Sequence, residues 1–306
     1  MLQLRGRAAQ SRRRDGFGHP GRVVAGGFAL AVVAGSGLLS LPQATADGSR
    51  ARLDDAVFTA TSAVSVTDLT TVDTGSYWSL PGQVVILVLI QIGGLGIMTF
   101  ASLFTLLLAR RMGFRFRLAA QAETRSLAGV DVRRVVRNVA LFTFGSEAVA
   151  AVLLGIRYAT AYDMGSAAAV GHAVFDSVSA FDNAGFSLNV NSFIPCVSDP
   201  WISLTVAFEV ILGGLGFPVV FELARNWRRP RGWSVLTRIT VTVTLVLVAG
   251  GTALVATAEA GNAATLGGLD APHRVVASFF AAVMPRTAGF DNLDIAALRP
   301  CWSPRS

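Results

Sequence analysis

Ser179-Ala180-Phe181-Asp182-Asn183-Ala184-Gly185-Phe186 closes an apolar segment, Ser166–Phe181, and two other stretches of the chain stand in the same relation to a segment of their own. Ser62-Ala-Val-Ser-Val-Thr-Asp68-Leu69 closes Asp54–Val66, and Val283-Met-Pro-Arg-Thr-Ala-Gly289-Phe290 closes Ala271–Val283. In each, a small or polar residue, then Gly (or Asp), then a bulky apolar residue recurs at one offset, so a single structural unit is used three times. A helix of a dozen residues reaches only about 18 Å, against a bilayer core of about 30 Å, so none of the three segments crosses by itself. They read as re-entrant helices, with an interfacial amphipathic helix or a buried loop as the alternative. Asp54 and Asp55 are placed to cap the first and Ser166 the second, and Asp270 followed by Pro272 suits the opening turn of the third.

Longer apolar stretches lie around these units. Val23–Leu41, Leu80–Ala109, Asn138–Ile156, Trp201–Ala224 and Ile239–Ala258 are each long enough to span, since about 20 helical residues suffice. The last, Ile239-Thr-Val-Thr-Val-Thr-Leu-Val-Leu-Val, alternates like a strand. A lone strand in lipid would leave its backbone groups unpaired, so a helix is expected. Val23–Leu41 also invites a signal-peptide reading, because Ala44-Thr45-Ala46 resembles a cleavage site, but its apolar core is longer than such peptides carry. Composition agrees with a bilayer as solvent: of 306 residues, 52% are hydrophobic and 15% charged, whereas soluble domains carry about 25% charge.

The net charge of +7 could point to nucleic acid, but its distribution argues for topology and against a nucleic-acid partner. All 26 basic residues are arginines. Most fall in three clusters: residues 1–22; Arg110 to Arg137, after the second span; and Arg225 to Arg238, after the fourth. The loops on the other side carry Asp47, Asp54, Asp55, Asp73, Asp163, Asp199, Asp270 and Asp294. By the positive-inside rule the N-terminus is cytoplasmic in a multi-pass membrane protein. The expected organisation is a basic N-terminus (1–22), a first unit (23–109), an Arg-rich inner loop (110–137), a second unit (138–224), a second Arg-rich inner loop (225–238), a partial third unit (239–298) and a tail (299–306).

A second repeat fixes the register. Gln91-Ile-Gly93-Gly94-Leu-Gly96 and Ile211-Leu-Gly213-Gly214-Leu-Gly216 lie in spans two and four, where glycines permit close helix packing or local bending. Gly93-Gly94-Leu-Gly96 superficially suggests a nucleotide fingerprint, but it sits inside an apolar helix rather than after a strand. The fold class is therefore all-α integral membrane, built from repeated helix–pore-loop–helix units. Such a unit presents loop carbonyls to an axis, where they replace the hydration shell of a cation, and the C-terminal ends of the short helices add partial negative charge. Cation permeation is the function this predicts, with no enzyme chemistry and no cofactor.

Thr61-Ser-Ala-Val-Ser-Val-Thr, Val72-Asp-Thr, Gln91-Ile-Gly-Gly-Leu-Gly, Ser179-Ala-Phe-Asp-Asn-Ala-Gly-Phe-Ser and Arg286-Thr-Ala-Gly-Phe together resemble the Trk/Ktr/HKT superfamily, nearest the bacterial Trk and Ktr membrane subunits. The likeness runs from about Val23 to Leu298. It implies four pore-loop repeats around a pseudo-fourfold axis, of which about two and a half are present here, and potassium uptake. It further implies a homodimer seated on a cytosolic nucleotide-binding regulatory subunit, nucleotide entering only through that partner. The Arg-rich inner loops are candidate docking surfaces for the regulator, or contacts to membrane lipid. Carried over by position, the selectivity filter falls on Val66, Thr67 and Asp68, on Asn183, Ala184 and Gly185, and on Thr287, Ala288 and Gly289, with main-chain carbonyls as ligands. Gly93, Gly94, Gly96, Gly213, Gly214 and Gly216 take the helix-packing role.

Two departures from the family pattern stand out. Asp68 occupies a position where the family has Gly; Asp tolerates positive φ at some strain, and its carboxylate either faces the ion path and weakens discrimination or points away into solvent. In the plant branch, loss of this glycine goes with sodium permeation, so a sodium-permeable or weakly selective channel is the alternative. After Leu298 the family pattern gives way to Arg299-Pro-Cys-Trp-Ser-Pro-Arg-Ser306, which predicts a truncated product and, as a further alternative, a non-conducting structural fragment. Glu147 and Glu209 lie inside spans, as inter-helix hydrogen-bonding groups or candidates for an ion path. His172 and His273 have no partners at ligand spacing, and Cys196 and Cys301 leave an extracytoplasmic disulfide open without requiring it.

Overall fold

The computed structural model of the chain describes residues 20–111, 132–286 and 288–298, and among these every regular element is helical. Ten α-helices follow in order: α1 Pro20–Leu39, α2 Leu53–Ser65, a single turn α3 Thr74–Tyr77, α4 Leu80–Arg111, α5 Val132–Ala161, α6 Ser166–Phe181, α7 Pro200–Leu215, α8 Phe217–Asn226, α9 Val235–Glu259 and α10 Ala271–Val283. The Thr- and Val-rich run that alternates like a strand is helical in α9, where each backbone group finds its partner within the segment. Cys301 and the tail, the first nineteen residues, and 112–131 of the first Arg-rich loop lie outside the described residues.

Helix ends follow local chemistry, with differences from expectation. Asp199 accepts from Trp201 N at 3.0 Å and caps α7, with Pro200 at its first position, and Ser234 Oγ accepts from Thr237 N at 3.3 Å at the start of α9. Asp54 and Asp55 do not cap α2. The N-cap is Arg52, and the two acids lie in the first turn, where they favour the positive end of the helix dipole. Gly165 rather than Ser166 is the N-cap of α6, and Asp270 caps α10 without a side-chain bond.

Three helices, Leu80–Phe100, Arg133–Ala161 and Val235–Glu259, are long and apolar enough to cross a membrane among the described residues, and the apolar part of α1 is shorter, Val24–Leu39. The expected fourth span is not one helix. It breaks at Gly216, with φ 79° and ψ 145°, and α8 leaves α7 at 103°. Pro218 explains the break, since it supplies no N–H to the ladder and its ring opposes the carbonyl four residues back.

Apolar side chains cover the outside: Leu245, Val246 and Leu254 on α9 are all exposed, as are Leu141, Val149 and Val152 on α5. A water-soluble fold would bury such rows; a lipid-facing one presents them. Inside, α2 packs between α1 and α4 through Ala56, Ala60, Ala63, Leu39, Ile86 and Ile90. The α5–α6–α7 set repeats the arrangement through Leu154, Ala169, Ala173, Ile202 and Val206. α10 lies against α9, with Ala277 beside Leu266 and Leu293. The alanine-rich short helices let their neighbours approach closely, which draws the loops that follow them toward one another.

Candidate ion-pathway site

Each short helix ends in a loop of unusual backbone. Val66, with φ 55° and ψ 56°, closes α2 in the left-handed region, and Asp68, two residues on, has φ 60°. After α6 the pair is Asn183 (φ 60°) and Gly185 (φ 73°), and after α10 Gly289 has φ 60°. Thr287 lies outside the described residues. Left-handed residues separated by one ordinary residue turn successive carbonyls toward the same side, the condition for a carbonyl-lined path.

The loops are anchored alike. Thr67 N donates to Ser62 O at 3.2 Å, Ala184 N to Ser179 O at 2.7 Å, and Gly289 N to Met284 O at 3.2 Å. Ser62 Oγ also accepts from Leu69 N at 3.0 Å, pinning the far side of the first loop. Behind them stand the paired glycines: a Cβ on Gly93 would lie 2.2 Å from Val64 O and one on Gly213 would lie 1.8 Å from Phe181 O. Each therefore allows a long helix to lie against the last carbonyls of the short helix in its own unit. Gly94 touches the Asp182 carboxylate, Gly96 faces the Phe28 ring, Gly214 is exposed and Gly216 makes the bend.

The three loops meet. A Cβ on Gly185 would fall 1.8 Å from Asp68 Oδ1 and 2.4 Å from Ala288 O, and one on Gly289 would fall 1.4 Å from Asp68 Oδ2. The Asp68 carboxylate thus reaches across to the backbone of both other loops and does not point away into solvent. Asp68, Gly185 and Gly289 line a cavity of about 490 Å³ together with Asp73, Asp291 and Asp294. Burial, and then the nearby Asp291, pushes the Asp68 carboxyl up to about 7. Asp73, Asp291 and Asp294 belong to the site but not to the expected filter. Asp73 and Asp294 are visible in the sequence only as outer-side acids, and Asp291, directly after the third Gly-Phe pair, carries no separate signal.

Further acids lie behind the loops. Asp182 follows the last residue of α6, is buried, and has neither carboxyl oxygen hydrogen-bonded among the described residues. It stands at the C-terminal end of the helix, against Gly94 of α4. Glu147 on α5 accepts from Gln91 Nε2 of α4 at 2.9 Å, and Glu209 on α7 accepts from Ser146 Oγ of α5 at 3.0 Å, so both join helices. Asp176, fully buried on α6, accepts from Tyr158 Oη at 2.7 Å and from Ser187 Oγ at 3.2 Å and ties the second loop to α5. His172 packs edge-on against Tyr158. Cys196 is a buried free thiol.

Comparison with known proteins agrees with this architecture. Residues 30–303 match the family described as TrkH, cation transport protein. The chain is 40% identical over 280 residues to the Ktr system potassium uptake protein B of Bacillus subtilis, covering 92% of this chain and 62% of that protein. It is 32% identical over 275 residues to the potassium/sodium uptake protein NtpJ of Enterococcus hirae, covering 90% and 60%. Among solved structures, the potassium transporter TrkH from Vibrio parahaemolyticus shares the fold with a TM-score of 0.56 at 18% identity, over 84% of this chain and 50% of that one. The chain thus spans about 60% of the length of these curated relatives. With its helices, its loops and a family match that runs over residues 30–303, this chain belongs to the TrkH family of cation transport proteins.

Proposed function

We propose that the chain forms part of a potassium-uptake pore in the cytoplasmic membrane of a bacterium, the ions passing between the loops at Val66-Thr67-Asp68, Asn183-Ala184-Gly185 and Thr287-Ala288-Gly289. The observation that carries this reading is the meeting of Asp68, Gly185 and Gly289, all at positive φ, in one cavity with Asp73, Asp291 and Asp294. Backbone carbonyls there replace the hydration shell of a potassium ion, and the aspartates of the mouth raise the local concentration of cations. The N-terminus and the arginine clusters lie on the cytoplasmic side. A homodimer and a cytosolic nucleotide-binding regulatory subunit complete the assembly, the nucleotide acting through that subunit and potassium being the cargo.

One observation favours a second reading, sodium permeation or weak selectivity. Asp68 brings a carboxylate to the meeting of the loops, and a carboxylate's high field does not distinguish cations as a carbonyl ring does. Growth of a potassium-uptake-deficient bacterium at low potassium, with and without excess sodium, tests both. Rescue that survives sodium supports potassium selectivity, and rescue abolished by sodium supports the second reading. No rescue by a chain shown to be inserted would contradict both.

A further inference from the structure

The corner between α7 and α8 is a defined structure. Gly216 N donates to Gly213 O at 3.3 Å, while Val219 N and Val220 N donate back to Gly216 O at 3.1 and 3.2 Å, so both sides of the bend are hydrogen-bonded. α8 is also held at its other end. Glu222 accepts from Ser234 N and Ser234 Oγ, both at 2.6 Å, and from Thr237 Oγ1, at the opening turn of α9, and Trp233 Nε1 donates to Asn226 O at 3.0 Å. The segment 217–238 is thereby fixed as an L-shaped foot.

Its position follows from length. α7 has 16 residues, about 24 Å of helix, starting at the outer-side cap Asp199, so its far end lies near the inner boundary of a core about 30 Å thick. A turn of 103° there lays α8 along the membrane plane. Val219 and Val220 are buried against the protein, while Phe221 and Trp227 are exposed, Trp227 to 65%. Arg225, Arg228, Arg229, Arg231 and Arg238 are all exposed, and none forms a salt bridge among the described residues. Arg228 stacks over the Trp227 ring at 4.8 Å. Val235, Leu236 and Ile239 at the start of α9 are exposed as well.

We propose that the foot formed by α8 and the turn to α9 binds the headgroups of anionic phospholipids. The arginines hold the phosphates, and Phe221 and Trp227 enter the acyl boundary beside α9. A guanidinium fork matches phosphate oxygens, and an interfacial helix with basic and aromatic residues gains from both terms at once. The exposed aromatics of the foot, together with the exposed apolar start of α9, a helix long and apolar enough to cross a membrane, favour a membrane over a soluble acidic partner, which would have to cover Trp227 at the edge of the bilayer. This inference rests on the membrane fold and not on which ion the pore carries.

The test uses the full chain purified from mixed phosphatidylcholine and phosphatidylglycerol vesicles, counting retained lipid by headgroup. The unaltered chain should retain phosphatidylglycerol in excess of its share of the vesicle and lose that excess at high salt. Combined Arg225→Gln, Arg228→Gln, Arg229→Gln and Arg231→Gln should cut the excess at least about fivefold, the share of a single basic contact, while Arg50→Gln, an exposed arginine between α1 and α2, leaves it. The salt arm needs no variant, so a misfolded variant does not decide the matter. No excess on the unaltered chain, an excess indifferent to salt, or an excess unchanged in the folded variant would each overturn the proposal. So would a variant that keeps its lipid and loses a bound soluble protein.

Discussion

Gly213→Ala should disturb the ion path more than it disturbs the fold. The added Cβ would stand 1.8 Å from Phe181 O and 2.6 Å from Asn183 Nδ2, whereas ordinary contacts begin at 3.4 Å. Phe181 O is the last helical carbonyl of α6 and already accepts from Asn183 Nδ2 at 3.1 Å. Relief of the contact with Phe181 O requires α7 and the end of α6 to part by about 1.6 Å, a shift that displaces the Asn183 side chain and takes support from the left-handed turn of the second loop. Overpacking of this kind costs about 1–3 kcal/mol, against which alanine returns about 1 kcal/mol of helix propensity, leaving a net loss of about 0–2 kcal/mol. The functional effect is expected to be larger, because loop carbonyls moved by more than an ångström no longer surround a dehydrated ion. Gly145→Ala on α5 is the control, since nothing lies within 4 Å of its added Cβ. Melting in detergent, followed by gel filtration after heating, reads the fold, and growth on low potassium with excess sodium reads selectivity. Gly213→Ala behaving like Gly145→Ala in both assays would refute the packing argument for the paired glycines.

Three further outcomes follow from the geometry. Tyr158→Phe removes the 2.7 Å donor to the buried Asp176 and should cost about 1–3 kcal/mol in a denaturation series; an unchanged midpoint would show that Ser187 and Asn189 satisfy Asp176 unaided. Asp68 has a folded-state value raised to about 7 from an ordinary 3.8, so the folded chain holds the proton more tightly, and the stability associated with it falls as pH rises through that window. Asp68→Asn should flatten the dependence of melting temperature on pH between about 4 and 7, and equal slopes in the two proteins would contradict the placement of this carboxylate. Ser234→Ala removes the cap of α9 and a donor to Glu222, and should cost about 1 kcal/mol, read as a lowered melting temperature with insertion intact.

The helices were legible because their causes are local. The apolar segments Ser166–Phe181 and Ala271–Val283 carry their boundaries in the adjoining Gly, Asp and Pro, and the helices form over those residues. The break at Gly216 was harder to see, because Gly93-Gly94-Leu-Gly96 has the same spacing in α4, which runs on to Arg111. The distinguishing signal was Pro218, two residues past the last glycine, where α4 has Met98. Asp68 marks the limit of local reading. Its tolerance of positive φ is a property of the residue, but the direction of its carboxylate depends on where loops more than a hundred residues away come to rest. The acidic mouth has the same origin: Asp73 and Asp291 share a cavity through tertiary packing, and no spacing in the chain joins them. The foot at α8 lies between these cases, with its arginines plain in the sequence and its orientation set by one backbone angle.

The most direct test of the account is the relative uptake of radioactive rubidium and sodium into vesicles containing the chain, compared with the same chain bearing Asp68→Gly. If the ion passes between Asp68, Gly185 and Gly289, exchanging the carboxylate for a bare backbone must change the ratio, in favour of rubidium. A flux with the same rubidium-to-sodium ratio in both proteins would place the ion path elsewhere and contradict the assignment of these loops.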